Sequence, residues 1–325
     1  MQSTVKHFAI AFSAAIITSV CWWTTIDADV PSGSIPPIKV AATVPPAAAE
    51  DDGKLRIIVF GAHPDDAEYK AGGTAAMWAK RGHHVKLVSV TNGDIGHWNM
   101  AGGELAKRRT EESRRCCEVL GVTSQVLDIH DGELVPTLEH RKTITRLIRE
   151  WNADIVISHR PWDYHPDHRY VGVLVQAAAF MVTVPYFCPD VPHLKKNPVF
   201  LYSSDGFQKP YPFDPDIAVA VDEAFDLKVT AIHELTSQAY EGGAGGSQER
   251  LDSVPRDEAG RRVWLKERWS RRQSNEANRY RDALIRVYGE EKGKAVKYAE
   301  TFELCEYGRR PSREQLKELF PIDAK

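Results

Sequence analysis

Leu55-Arg56-Ile57-Ile58-Val59-Phe60-Gly61-Ala62-His63-Pro64-Asp65-Asp66-Ala67-Glu68 is the stretch on which the fold turns. Its first seven residues are mostly apolar and rich in β-branched side chains, which predicts a buried strand; Gly61 and Pro64 end it. Residues 74–82 read as a helix closed by Gly82, and residues 85–90 are apolar again, so the segment is a βαβ unit. Residues 62–68 then lie just past the carboxyl end of a strand, where parallel α/β sheets hold their ligands.

The pattern continues. Residues 104–120 have helical spacing and stop at Gly121, residues 126–129 form a brief strand, residues 137–151 are amphipathic and residues 155–158 give a fourth buried strand. Apolar stretches at 199–202 and 217–221 extend the sheet. The expected fold class is α/β, a mainly parallel sheet with helices on both faces. Beyond Gly242, Gly243, Gly245 and Gly246 the chain turns to charged helices, with Leu265, Trp269, Tyr280, Leu284 and Tyr288 at helical spacing. That composition predicts a loop and a C-terminal helical appendage over 242–325.

With 325 residues, 42% of them hydrophobic, the chain is large enough for a substantial core, which excludes a disordered or collagen-like protein. A net charge of −3 gives no general attraction for phosphate backbones, so no nucleic-acid partner is expected. Lys6 and His7 precede an apolar run over 8–20 and then Cys21, Trp22 and Trp23, the order of a secretory signal. The expectation is a signal over 1–28, a Pro- and Ala-rich linker over 29–53, a catalytic domain over 54–241, and export to the periplasm or exterior. An uncleaved signal anchor is the one route to a membrane, since the run is short for a bilayer span. Cys116, Cys117, Cys188 and Cys305 form no legible disulfide framework.

The chemistry concentrates in a tripeptide that occurs twice, His63-Pro64-Asp65, followed by Asp66, and His165-Pro166-Asp167, followed by His168. A shuffled chain of this composition would contain about 0.05 such tripeptides. Both copies follow predicted strands, the first and the fourth, which flank one crevice in a sheet whose order reverses beside strand one. Helix capping accounts for one aspartate per copy but leaves three histidines converging. Three protein ligands and an open position suit one catalytic zinc per chain, here His63, Asp66 and His168. Asp65 is then the general base, His165 the group that protonates the leaving nitrogen or stabilises the oxyanion, and Asp167 the carboxylate that orients an imidazole, that of His165.

On these residues, 62–68 and 163–168, with Thr91-Asn92-Gly93-Asp94, the Arg109 and Glu112 helix, and Asp131-Gly132, the chain resembles the PIG-L or LmbE-like zinc-dependent N-deacetylases. The likeness runs from about 55 to 240. It implies a Rossmann-like fold, one zinc and removal of an acetyl group from an N-acetylglucosamine unit carried on a larger molecule. It places the zinc ligands on His63, Asp66 and His168, the base on Asp65 and the catalytic histidine on His165. It also implies sugar contacts for Arg109 and Asp131. Asp94, His97 and Trp98, in a polar and aromatic loop after strand two, are further candidates to line a sugar pocket. Two other readings stay open: an exported sugar-binding protein without turnover, and a non-haem iron oxygenase, whose two-histidine-one-carboxylate set is matched formally. That oxygenase chemistry belongs with an all-β barrel, which the alternating strands and helices here oppose.

Overall fold

The protein is described by a computed structural model that covers residues 52–322. The expected signal and most of the linker lie outside the described residues. Among those described, no helix is long and apolar enough to cross a membrane.

The first half alternates strand and helix: β1 Arg56–Gly61, α1 Asp66–Lys80, β2 His84–Ser89, α2 Gly103–Leu120, β3 Thr123–Val126, α3 Leu138–Glu150, β4 Ile155–Ser158 and α4 Pro166–Met181. Then come β5 Val199–Ser203, β6 Ile217–Ala220, α5 Phe225–Ile232, α6 Thr236–Ala239, α7 Gln248–Asp252, α8 Glu258–Arg279, α9 Arg281–Tyr288, α10 Glu290–Ala295, β7 Ala299–Leu304 and α11 Arg313–Leu319. Seven strands form one sheet in the order β3-β2-β1-β4-β5-β7-β6. The first five run parallel, and β7 is antiparallel to both β5 and β6. Strand order reverses beside β1, so the crevice between β1 and β4 is the switch point at which α/β sheets bind ligands.

β1 shows why the sheet sits at the centre. Ile58 and Phe60 pack on one face with Ile148 of α3 and Val175 of α4, while Ile57 and Val59 pack on the other with Trp78 of α1 and Leu120 of α2. Alternation of side chains on a pleated strand delivers both sets, and each fully buried side chain of this kind contributes about 1.5–3 kcal/mol.

Three boundaries differ from the sequence reading. α1 begins at Asp66, not 74, because Gly72 and Gly73 are packing positions rather than breakers: a Cβ on Gly73 would stand 3.0 Å from Glu300 Oε1 and from Val221 Cβ. β3 lies at 123–126 rather than 126–129, its register set by pairing of Lys86–Ser89 with Thr123–Val126. The helical C-terminal region is present as α7–α11, but a boundary at 242 would divide the sheet. β7 emerges from that region and inserts between β5 and β6, with Phe302 fully buried.

Candidate metal centre and active site

The loop from β1 to α1 is shaped around one carboxylate. Asp66 Oδ2 accepts the backbone N–H groups of Ala62 (3.0 Å) and His63 (2.9 Å). Gly61 permits this turn, since a Cβ there would lie 2.7 Å from Asp66 Cβ. Asp65 takes up the sharpness of the turn with φ of 140°, a conformation L side chains adopt only under constraint from their surroundings. On the other side of the crevice Pro166 occupies the first turn of α4, and His165 caps it by accepting the Asp167 N–H at Nδ1 (3.2 Å).

Three ligand atoms converge between these loops. His63 Nδ1 is 3.4 Å from Asp66 Oδ2 and 3.2 Å from His168 Nε2, and His168 Nε2 is 3.3 Å from Asp66 Oδ2. Ligands of a tetrahedral ion with bonds of about 2.0–2.2 Å stand about 3.3–3.6 Å apart, so this triangle matches one face of such a shell. Each histidine has a carboxylate behind its other nitrogen: Asp131 Oδ1 is 2.9 Å from His63 Nε2, and Asp163 Oδ1 is 3.1 Å from His168 Nδ1. A proton on each outer nitrogen would face a carboxylate and leave the inward lone pair for a cation, although the contact of His168 Nδ1 with Asp163 lacks hydrogen-bond alignment. Asp167 Oδ1 is buried without a hydrogen-bond partner, a further sign that the cluster lacks positive charge. The residues therefore fit a divalent ion.

The electrostatics agree. Burial opposes charge on His63, yet hydrogen bonds to Asp131, Asp167 and Asp66 raise its pKa well above the ordinary value. Burial likewise opposes charge on His168, and Asp66 and Asp163 override it, bringing His168 to about 9. Asp66, despite burial, is held well below the usual carboxylate range by His168 and His159. Without an ion, protons on the imidazoles supply the positive charge these carboxylates demand. Asp65 behaves oppositely: burial and the neighbouring Asp66 push it up to about 7, with Arg109 opposing from 3.7 Å. His165 is lowered by burial and by the positive charge of His63 and His168, and its cap bond also requires a lone pair at Nδ1. A neutral ring with its proton on Nε2 satisfies both conditions.

Several expected roles are relocated. Asp167 Oδ2 lies 3.3 Å from His63 Nε2 and accepts the Gly132 N–H (2.7 Å), so this carboxylate supports His63 and not His165, whose Nδ1 is taken up by the helix cap. The three residues expected to touch sugar are turned into the protein. Arg109 is buried and donates to the carbonyls of Pro64 (2.7 Å) and Gly93 (3.1 Å), and Glu112 pairs with Arg108. Asp131 backs His63. Asp94 is buried, accepts the Asp131 N–H (3.0 Å) and sits 2.6 Å from His130 Nδ1. His97 pairs with Glu241 (2.9 Å) and the Trp98 N–H donates to Gly243 (3.0 Å), which ties the loop after β2 to the glycine-rich loop. His233 bonds the Tyr240 hydroxyl (2.7 Å), as a helix-packing histidine does.

Two participants escaped the sequence reading. His159 directly follows β4; its ring stacks on His168 at 4.2 Å and its Nε2 accepts the Ala62 N–H (3.1 Å). It shares that N–H with Asp66 Oδ2, stands 3.4 Å from the same oxygen, and forms with Asp66 and His168 a second cluster whose ligand atoms lie close enough to hold one ion. Asp163 backs His168. The signal for His159 was its position immediately after a strand of the switch point, and for Asp163 its place inside the second motif.

Comparison with known proteins shows the family and the fold. The sequence profile of the PIG-L family, described as GlcNAc-PI de-N-acetylase, matches residues 58–179. A diacetylchitobiose deacetylase from Thermococcus kodakarensis is 32% identical over 189 residues, 56% of this chain and 70% of the relative. A 4-oxalmesaconate hydratase from Pseudomonas putida is 25% identical over 194 residues, 56% of this chain and 74% of the relative. The solved N,N'-diacetylchitobiose deacetylase from Pyrococcus horikoshii shares the fold with a TM-score of 0.56 and 24% identity, over 77% of this chain and 84% of that one. The chain belongs to the PIG-L family, whose members among its relatives include LmbE-like deacetylases.

Proposed function

We propose that the protein is a zinc-dependent N-deacetylase that removes the acetyl group from an N-acetylglucosamine-type sugar or conjugate. The observation that carries this reading is the triangle of His63 Nδ1, Asp66 Oδ2 and His168 Nε2, with edges of 3.2–3.4 Å, next to a carboxyl pushed up to about 7. The name of the 32% identical relative supports the reaction class. These three groups would hold one ion per chain, which when bound would supply the Lewis acidity to polarise a carbonyl and to acidify water.

The remaining chemistry belongs to the chain. Asp65 takes a proton from the attacking water and returns it to the nitrogen as the C–N bond breaks, yielding acetate and a free amine. A carboxyl that titrates near neutrality suits both halves of that transfer. His165, its ring 4.5 Å from that of His63, donates from Nε2 to the oxygen that gains charge in the tetrahedral transition state. Asp131, Asp163 and Asp167 hold the imidazoles in register, and Arg109 fixes the loop that carries Asp65. The same reading includes export, supported by the charged-then-apolar order at the N-terminus and tested by N-terminal sequencing of secreted protein.

Zinc-loaded protein incubated with a panel of N-acetylated saccharides should release acetate, and Asp65→Asn should not. Saccharide binding without acetate would favour the non-catalytic sugar-binding reading. The iron oxygenase reading conflicts with the parallel α/β sheet. A second reading, addition of water across an activated double bond, is favoured by the likeness to the hydratase. A metal, a base and an oxyanion donor serve either reaction, and the same panel extended with unsaturated dicarboxylic acids separates them.

A further inference from the structure

Beside the metal centre the surface carries a concentration of positive charge with no protein counter-ion. α8 places Arg268, Arg271 and Arg272 within one helical turn, and Arg250 faces them from α7. Together with Tyr69, Gln238 and Trp269 they line a cavity of about 530 Å3. Among the described residues, none of these four guanidinium groups is within ion-pairing distance of a carboxylate, although neighbouring helical charges are paired: Arg262 with Glu258 and Lys266 with Asp226. Glu267 and Glu276 stand four residues from Arg271 and Arg272, respectively, yet neither closes the pair; Glu276 instead accepts the Thr301 hydroxyl. Four like charges gathered around one concavity repel each other, and an anion from solution removes that repulsion.

Two lining residues connect the cavity to the loops of the reaction centre. Tyr69 follows Asp65 by one helical turn, its N–H bonded to the Asp65 carbonyl at 2.8 Å. Gln238 donates to the carbonyl of Gly96 (3.2 Å), and a Cβ on Gly96 would stand 2.9 Å from Asp131 Oδ2. Aromatic surface is mixed with the charge: the Arg272 guanidinium lies 4.9 Å from the Trp269 ring centroid and 5.5 Å from that of Tyr69. Ring faces attract a guanidinium, and one without a carboxylate partner has N–H groups to offer a carboxylate or phosphate. The size falls in the range of small-ligand sites.

We infer that the groove lined by Arg250, Arg268, Arg271 and Arg272 binds a negatively charged group, carboxylate or phosphate, on the part of the substrate remote from the acetamide. This deepens the deacetylase reading and rests on it for the word substrate. The ligand class is an acidic N-acetylglucosamine conjugate rather than a neutral oligosaccharide.

The test uses the full-length, zinc-loaded protein and three probes: methyl N-acetylglucosaminide, N-acetylglucosamine 1-phosphate and the malate glycoside of N-acetylglucosamine. Acetate release gives kcat/KM and calorimetry gives Kd for each. Each acidic probe should be favoured over the methyl glycoside by about tenfold or more at low salt, and the stronger of the two identifies the anion as phosphate or carboxylate. The Arg268→Gln, Arg271→Gln double variant, changed only at exposed positions without an ion pair, should collapse that ratio towards one; Arg268 also gives up its place over the Trp264 ring, 4.6 Å from the centroid. Equal Kd for acidic and neutral probes, or a ratio unmoved in the variant, overturns the inference and leaves deacetylation standing. Arginine-dependent binding of an acidic probe with no acetate from any probe sustains the anion site and overturns the deacetylase reading. Variant-sensitive retention on heparin, with no advantage for either small anion, overturns it in favour of a polyanion surface.

Discussion

Two buried charge clusters sit on the same helix and differ in one respect. Midway along α1, Glu300 of β7 accepts N–H groups from Gly73 (2.8 Å) and Thr74 (2.7 Å), the Thr74 hydroxyl (2.6 Å) and the Lys228 ammonium (2.6 Å). Lys228 also donates to the Tyr69 carbonyl (2.8 Å). One positive and one negative group meet, and both carboxylate oxygens are used. At the start of α1, acceptor atoms of His63, Asp66 and His168 aim at a common point, with Asp65, Asp131, Asp163 and Asp167 around them. The first cluster is complete in itself and locks the C-terminal strand to α1; the second has a surplus of carboxylates, a demand for positive charge that imidazole protons or a cation would meet. Burial and charge alone do not separate structure from function here. Saturation of the hydrogen-bonding groups does.

The sharpest break of this contrast is catalytic. Asp65→Asn should keep its metal and lose about 10²- to 10⁴-fold in turnover, whereas His63→Ala should lose the metal itself. Metal content by elemental analysis beside acetate release would settle it, and equal metal loss in the two variants would refute the division of roles. In the saturated cluster the effect should be on stability. Lys228→Met leaves Glu300 buried and uncompensated, costing about 3–5 kcal/mol in denaturant unfolding, with metal content per folded molecule unchanged.

Asp131→Asn is expected to weaken zinc binding about 10- to 100-fold while the fold persists, as read by competition with a chelator. A fourth effect concerns pH. His168 in the metal-free protein holds its proton to about 9, against an ordinary value of 6.5. The folded state thus binds more protons than the unfolded chain between these values, so metal-free Tm should fall as pH rises from about 6.5 to about 9. In the zinc-loaded protein that dependence should be absent, because the ion replaces the proton. Metal binding near neutral pH should accordingly release protons, seen as a dependence of the calorimetric heat on the buffer's ionisation enthalpy. The smallest expected signal is in the pH profile. Turnover should rise with pH as Asp65 ionises, at or below about 7 since a bound cation favours the carboxylate, with no fall near neutrality from His165, which is already neutral.

Legibility in the chain followed the range of the interactions. The strands β1, β2, β4, β5 and β6 were readable because their side chains are apolar over short contiguous runs, and both halves of the candidate metal site were readable because each is a compact local motif. β7 was not, since Glu300, Thr301 and Glu303 interrupt the apolar residues of Ala299–Leu304, and its burial depends on Lys228 and Gly73 far away in sequence. Asp131 and Asp167 were both marked as important, but their partners were misassigned. A carboxylate's role depends on which nitrogen stands 3 Å away, and that nitrogen belongs to a loop 68 or 104 residues distant.

By itself, then, the order of residues determined the α/β class, the two loops that carry chemistry and the ligand types they offer, because all of these arise from neighbours along the chain. Tertiary structure alone decided that His63, Asp66 and His168 meet at 3.2–3.4 Å, that Arg109 and Asp94 brace loops instead of facing solvent, that His159 stands beside Asp66 and His168, and that arginines of α8 without an ion pair gather nearby. Distances between residues remote in sequence are set by how the helices pack on the sheet, and the charge state of each group follows from those distances.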